Sequence, residues 1–148
     1  MYTVTKIIHF CYGHRLLNYK GPCKHLHGHN AKVEIDVASE TLDSLGMAAD
    51  FSDIKDKIKT WIDQTLDHKL LLNVCDPIIP FLVETKEPHF IFEENPTAEN
   101  IAKLIFDKAR AMDFNVKQVR LWETPEACAS YSWTEDHGQR IKDQKKNG

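Results

Sequence analysis

From Ala31 to Val37 the chain alternates without a break. Ala31, Val33, Ile35 and Val37 fall on one face, and Lys32, Glu34 and Asp36 on the other. This is the pattern of a half-buried β-strand. Side chains two apart in a strand share a face, roughly 6.5–7 Å apart along the backbone. Counting back without a bulge places His29 and His27 on the core-facing row, with His25 next in line if the strand begins that early. Buried imidazoles in a row need partners, and one divalent cation can serve several of them. Gly28 lies between them and has no side chain, so another group can approach there. His14, just past the first strand, offers a third imidazole. Three histidines with an open fourth position are the pattern of catalytic rather than structural zinc. Two other readings of the same residues stand beside this one. The imidazoles can be core histidines bonded to backbone, or Cys23 can close the site as a fourth ligand in a structural zinc centre.

The 148 residues suit a single domain, placed at 1–133 and followed by a polar, lysine-rich tail at 134–148. With 42% hydrophobic and 28% charged residues the composition is that of a soluble globular chain. A net charge of −3 and a pI near 6.2 do not suggest a nucleic-acid binder. Cys11, Cys23, Cys75 and Cys128 are too few and too scattered for a disulfide framework, which points to a reducing cytoplasm. The N-terminus has no signal-peptide pattern, and no apolar run reaches membrane length.

In chain order, residues 2–10 form a first strand, with Tyr2, Val4, Ile8 and Phe10 on one face and Lys6-Ile7 interrupting the alternation. A second strand covers about 27–39, and a loop with Gly46 at its turn follows. A helix capped by Asp50 or Ser52 buries Ile54, Ile58, Trp61, Ile62 and Leu66. Prolines at 77, 80 and 88 break up residues 74–94, where Phe81-Leu82-Val83 and Phe90-Ile91-Phe92 read as short edge strands. Asn95-Pro96-Thr97 opens a second helix whose core face includes Ile101, Leu104, Ile105 and Met112. Strands at 116–124 and 127–133 close the order β-β-α-α-β-β. The expectation is an α+β fold: a four-stranded antiparallel sheet with two helices on one face. Its two open edges favour pairing between subunits.

Three further positions carry chemistry. Cys23 lies four residues before His27, near any cation bound there, which would favour its thiolate. Its bland alternative is a surface thiol. Asp67 adjoins His68, and a carboxylate beside an imidazole fixes the tautomer for proton transfer, although adjacency alone is equally met by a capping Asp and an exposed His. Glu123 shares the apolar face of its strand with Val119 and Leu121, so it needs either a partner with paired donors or a place at the solvent rim.

Six blocks now stand in order: Phe10-x-x-x-His14-Arg15-Leu16, Cys23-x-x-x-His27-Gly28-His29-Asn30, Gly46-Met47-x-x-Asp50-Phe51-x-x-x-Lys55, Leu66-Asp67-His68-x-x-Leu71-x-Asn73, Pro96-Thr97-Ala98-Glu99-Asn100-Ile101-Ala102 and Val119-x-Leu121-x-Glu123-Thr124. Together, from about residue 2 to 133, they resemble the 6-pyruvoyl-tetrahydropterin synthase / 6-carboxytetrahydropterin synthase family. The resemblance implies the tunnelling fold, in which subunits join their sheets into a trimeric barrel and two trimers stack as a homohexamer. It implies zinc on His14, His27 and His29, Cys23 as the catalytic thiol, Asp67 and His68 as its acid/base partner, and Glu123 as the anchor of the pterin ring. It implies 7,8-dihydroneopterin triphosphate as substrate. The three residues between Cys23 and His27 resemble the queuosine-pathway branch, which releases acetaldehyde and triphosphate to leave 6-carboxytetrahydropterin. Elimination of triphosphate without carbon loss is the alternative within the family, and a zinc-stabilised oligomeric binding protein is the alternative outside it. One departure is Cys11-Tyr12-Gly13, where small, alanine-like residues are common in the family. A bulky Tyr12 there reshapes the pocket wall.

Overall fold

The computed structural model describes residues 1–134, so the expected tail lies outside the described residues except for Thr134. The sheet is built on one long pairing. Strand β1 (Tyr2–His14) runs antiparallel to β2 (His27–Ser39) in continuous register from Tyr2 opposite Ser39 to His14 opposite His27. Strand β5 (Val116–Thr124) pairs antiparallel with β2, and β6 (Ala127–Ser132) with β5. The alternation holds through all of β1. Ile8, Phe10, Tyr12 and His14 are buried on the face shared with Ala31, Val33, Ile35 and Val37, while Ile7 points outward at 48% exposure. The opposite face is polar: Arg120 of β5 donates to Glu34 and Asp36 of β2 and to Gln118 of its own strand.

Among the described residues the sheet has six strands and is mixed, not the four antiparallel strands the alternation suggested. Strand β3 (Lys69–Asn73) lies parallel to the end of β1, and β4 (His89–Phe92) parallel to β3, giving the order β4-β3-β1-β2-β5-β6. Leu71 and Leu72 are both fully buried. A strand covered on both faces loses its period-two signature, so Leu70-Leu71-Leu72 could not be recognised by alternation. The segment Phe90–Phe92 is an edge strand as expected. Phe81-Leu82-Val83 is not: it belongs to helix α3 (Ile79–Thr85), with Pro80 in the first turn, where a missing N–H costs no hydrogen bond.

The main helices cover one face. Helix α1 (Phe51–Ile54) continues through a π-type segment (Lys55–Lys59) into α2 (Thr60–Thr65). Asp50 caps it by accepting from the Ser52 N–H. Ile54, Ile58, Ile62 and Leu66 are spaced by four and are all fully buried. Four residues per repeat exceed the 3.6 of an α-helix, and the wider π turn absorbs the drift. Helix α4 (Ala98–Ala111) is capped by Thr97, whose hydroxyl accepts from Asn100 N–H, and buries Ile101, Ile105 and Ala109. Gly46 turns its loop at φ 83°. Among the described residues no helix is long and apolar enough to cross a membrane.

An ion pair ties the end of β1 to the proline-broken segment. Arg15 donates through Nε to Asp76 Oδ2 at 2.8 Å and through its terminal nitrogen to Oδ1. Asp76 is 3% exposed and also accepts from the Ile78 N–H. The Arg15 guanidinium holds the Asp76 carboxyl below its ordinary value, against its own burial. A carboxyl lowered in the native state contributes stability that is fully present above the unfolded value of 3.8 and is lost as pH falls through the lower native value. Asp76→Asn is therefore expected to destabilise the chain by about 3 kcal/mol near neutral pH. In urea melts the gap between the two proteins should narrow below pH 3.8.

Candidate metal and substrate site

His14 and His27 are the last and first residues of paired strands and face each other directly. His29 follows on the same row, opposite Tyr12. The three imidazoles converge: ring centroids lie 4.6 Å apart for His14–His27 and 5.1 Å for the two pairs with His29. One ligand atom from each lies within 4.8 Å of the others. His25 is exposed and does not extend the row, because the chain turns through a short 3₁₀ segment (Pro22–Lys24) just before it.

Second partners fix how the rings present their nitrogens. His14 Nδ1 lies 2.7 Å from the Pro96 carbonyl, and His27 Nδ1 lies 2.7 Å from the His25 carbonyl. A carbonyl only accepts, so each Nδ1 carries the hydrogen and each Nε2 keeps its lone pair. Both Nε2 atoms are buried and have no hydrogen-bond partner among the described residues. Unpartnered buried lone pairs aimed at one point fit a metal ion, and carbonyl acceptors on the far nitrogens are the usual support for imidazole ligands. Burial holds His14 below its ordinary value, against the Pro96 bond and the Glu123 charge, so it favours the neutral ligand form. Cys23 is not within the same 4.8 Å group, which argues against a closed site made with its thiol.

Glu123 completes the mouth. The register between β5 and β6 shifts at Trp122/Thr124, and Glu123 sits at that irregularity. Its Oε1 is 3.7 Å from His14 Nε2 and its Oε2 is 3.8 Å from His29 Nε2. Tyr12 donates from its hydroxyl to Oε1 at 2.7 Å. Burial first, and then the Glu123 charge, push the Tyr12 phenol far above its ordinary value, so it remains a donor.

The structure separates the other expected site residues. Cys23 sits on the 3₁₀ turn, half-buried, lining a cavity of about 350 Å³ with His14, Thr97 and Glu123. His68 lines a different cavity of about 570 Å³, which also takes in Tyr12, Gly13, His27, Gly28, His29 and Asn30. Cys11 stands on the row of β1 opposite to that of Tyr12 and His14, and one ligand atom each from Cys11, Asp67 and His68 lies within 4.8 Å of the others, so this pair gathers on the outward face while Cys23 lines the cavity of His14 and Glu123. His68 adopts φ 57°, uncommon for a non-glycine residue, and is held there by its N–H to the Cys11 carbonyl. Asp67 accepts the Cys11 N–H through Oδ1 and meets His68 Nδ1 at 2.8 Å through Oδ2. Burial raises the Asp67 carboxyl, but those hydrogen bonds and the His68 charge outweigh it and leave the carboxyl below its ordinary value.

Sequence reading missed several supporting groups. Asn95 accepts from Leu17 N–H and donates to the Leu17 carbonyl, pinning the loop after His14 beside Pro96. Nothing in residue type announces a structural role for a proline carbonyl. The Tyr12 contact was visible in principle, because Tyr12 has the same parity as His14 and Phe10.

Comparison with known proteins now places this geometry. The profile of the 6-pyruvoyl tetrahydropterin synthase family matches residues 3–134. A 6-carboxy-5,6,7,8-tetrahydropterin synthase of Rickettsia bellii is 39% identical over 132 residues, which cover 84% of this chain and 96% of the relative. One from Aquifex aeolicus is 34% identical over 122 residues, 74% of this chain and 75% of the relative. Among solved structures, an uncharacterised protein of Wolinella succinogenes superposes with a TM-score of 0.76 at 26% identity, covering 90% of this chain and 98% of that one. The 6-pyruvoyl tetrahydropterin synthase of Caenorhabditis elegans gives 0.68 at 22% identity, covering 90% and 96%. With its profile match spanning nearly the whole described chain, this protein belongs to the 6-pyruvoyl tetrahydropterin synthase family.

Proposed function

We propose that this chain is a zinc-dependent lyase that converts 7,8-dihydroneopterin triphosphate to 6-carboxy-5,6,7,8-tetrahydropterin with release of acetaldehyde and triphosphate, a step of queuosine biosynthesis. The observation that carries it is the convergence of two buried, unpartnered Nε2 atoms with His29 beside Glu123. The names of the relatives and the Cys23-x-x-x-His27 spacing support the carboxy outcome over simple elimination. Cys23 working as a free thiol suits a reducing, cytoplasmic setting.

Each residue then has a task. His14, His27 and His29 hold zinc, which when bound acts as a Lewis acid towards the hydroxyls of the substrate side chain. Glu123 accepts hydrogen bonds from the guanidine-like edge of the pterin, a charge-assisted pairing that fixes the ring. Cys23, as thiolate, takes a proton from a side-chain carbon, and His68, oriented by Asp67, moves protons on the other side. Within one chain Cys23 lines the cavity of His14 and Glu123, while Asp67 and His68 gather at Cys11 on the outward row of β1. Their partnership therefore needs a second copy. This favours the homohexamer built from trimeric barrels.

Two experiments decide the reading. Incubation with 7,8-dihydroneopterin triphosphate should release acetaldehyde and triphosphate in equal amounts; triphosphate without acetaldehyde would assign the 6-pyruvoyl outcome, and neither product would leave a binding protein without turnover. His27→Ala should lose bound zinc by elemental analysis. Cys23→Ala and His68→Ala should each keep zinc while turnover falls roughly 10²–10⁴-fold. Co-expressing these last two should restore part of the lost activity in mixed oligomers. Failure of any mixture to recover would sink the shared site.

A further inference from the structure

Two residues before His14, on the same face of β1, the chain places a large aromatic side chain against the imidazoles. Tyr12 is 3% exposed and packs edge-on to His14, with ring centroids 5.1 Å apart, and tilted against His29 at 5.8 Å. Phenylalanine would fill that volume without a polar atom to satisfy. Tyrosine carries a hydroxyl that must find a partner, and its partner is Glu123 Oε1 at 2.7 Å. Tyr12 is the one hydrogen-bond donor to the Glu123 side chain among the described residues. The two imidazole nitrogens near Glu123 stand at 3.7 and 3.8 Å, beyond hydrogen-bond range. His14 Nε2, moreover, holds a lone pair and cannot donate, since its hydrogen is on Nδ1 against Pro96.

We propose that Tyr12 is a positioning residue for substrate binding: its hydroxyl fixes the Glu123 carboxylate, keeping Oε1 engaged and Oε2 presented to the N–H edge of the pterin. This rests on Glu123 being the pterin anchor. Glu123 sits at a bulge near the sheet end, where the backbone alone leaves its rotamer open. Without the phenol the carboxylate would be free to swing toward the metal, closing its vacant position, or out to water. Tyr12 therefore sets affinity for the ring rather than the proton-transfer steps, which involve Cys23, Asp67 and His68. The Tyr12 hydroxyl is thus a second support for the anchor.

The test compares Tyr12→Phe, Glu123→Gln and the double variant by fluorescence titration with neopterin, an oxidised pterin that fluoresces. Zinc content, thermal midpoint and steady-state kinetics are read on the same samples. Tyr12→Phe keeps the ring against both imidazoles, so zinc and the midpoint should stay near native. Neopterin affinity should fall roughly 10- to 100-fold, the size of one hydrogen bond to a charged group. KM should rise to match, with kcat within about twofold of native. In the double variant, affinity should equal that of Glu123→Gln alone, because the phenol acts only through the carboxylate. Tyr12→Met, a second variant without a donor, should repeat the loss if phenylalanine packs imperfectly. Unchanged affinity in Tyr12→Phe where Glu123→Gln has lost it, additive losses in the double variant, or loss of zinc would overturn the role of Tyr12. Native affinity in Glu123→Gln would instead remove the anchor reading and this proposal with it.

Discussion

The unbroken antiparallel pairing of β1 with β2 is the constraint on which the site depends. Period-two geometry converts a register into a set of neighbours. With His14 opposite His27, and Tyr12 opposite His29, three imidazoles and a phenol are placed on one face by backbone hydrogen bonds alone. A slip of one residue between the strands would turn one pair, His27 and His29 or Tyr12 and His14, away from the core. Gly28 shows how tightly this end is built. A Cβ there would lie 2.9 Å from the Tyr12 carbonyl oxygen, so the strands meet too closely for any other residue without a shift. The glycine between the two histidines is thus a packing requirement of the hairpin first, and only indirectly a feature of the site.

Much of this was legible in the chain. The alternation from Ala31 to Val37 placed His27 and His29 on the buried row, and the structure keeps them there. The same logic put Glu123 with Val119 and Leu121, and the caps at Asp50 and Thr97 follow from side-chain chemistry that acts over two or three residues. What failed to show was what lacks local periodicity. Strand β3 is buried on both faces, so its leucines follow no pattern of two. Helix α3 is short, and proline in its first turn looks the same in a sequence as proline that ends a strand. The Arg15–Asp76 pair spans 61 residues, and the Pro96 carbonyl acts through backbone, so neither leaves a trace in residue spacing.

The sheet also explains why the expected catalytic residues do not meet. A strand has two faces, and the hairpin puts the three imidazoles on one, with Cys23 lining the cavity beside His14, and the Cys11 thiol on the other. Asp67 and His68 cluster with the thiol of Cys11, whose odd number places it on the outward row of β1. No rotamer change can carry a side chain through a hydrogen-bonded sheet. Chemistry that uses both groups must bring a second sheet alongside, and the residues of β1 before Tyr12 have β2 as their only strand neighbour among the described residues. An open strand edge of that length is the kind of surface that pairs with another copy.

The two carbonyl contacts to His14 and His27 carry a consequence for the charge of the site. By holding the hydrogen on Nδ1, Pro96 and His25 leave Nε2 lone pairs pointing inward whether or not a cation is bound. The lone pairs repel one another and Glu123 adds a negative charge at the mouth. A cation placed among them would meet both the lone pairs and that negative charge. Tyr12 eases the same tension at the rim by donating to Oε1. The supports act at different places: carbonyls behind the ligands, a phenol beside the carboxylate. All are brought together by the hairpin and by the loop that leads into α4, which places the electrostatics of the centre under the control of backbone geometry rather than of flexible side chains.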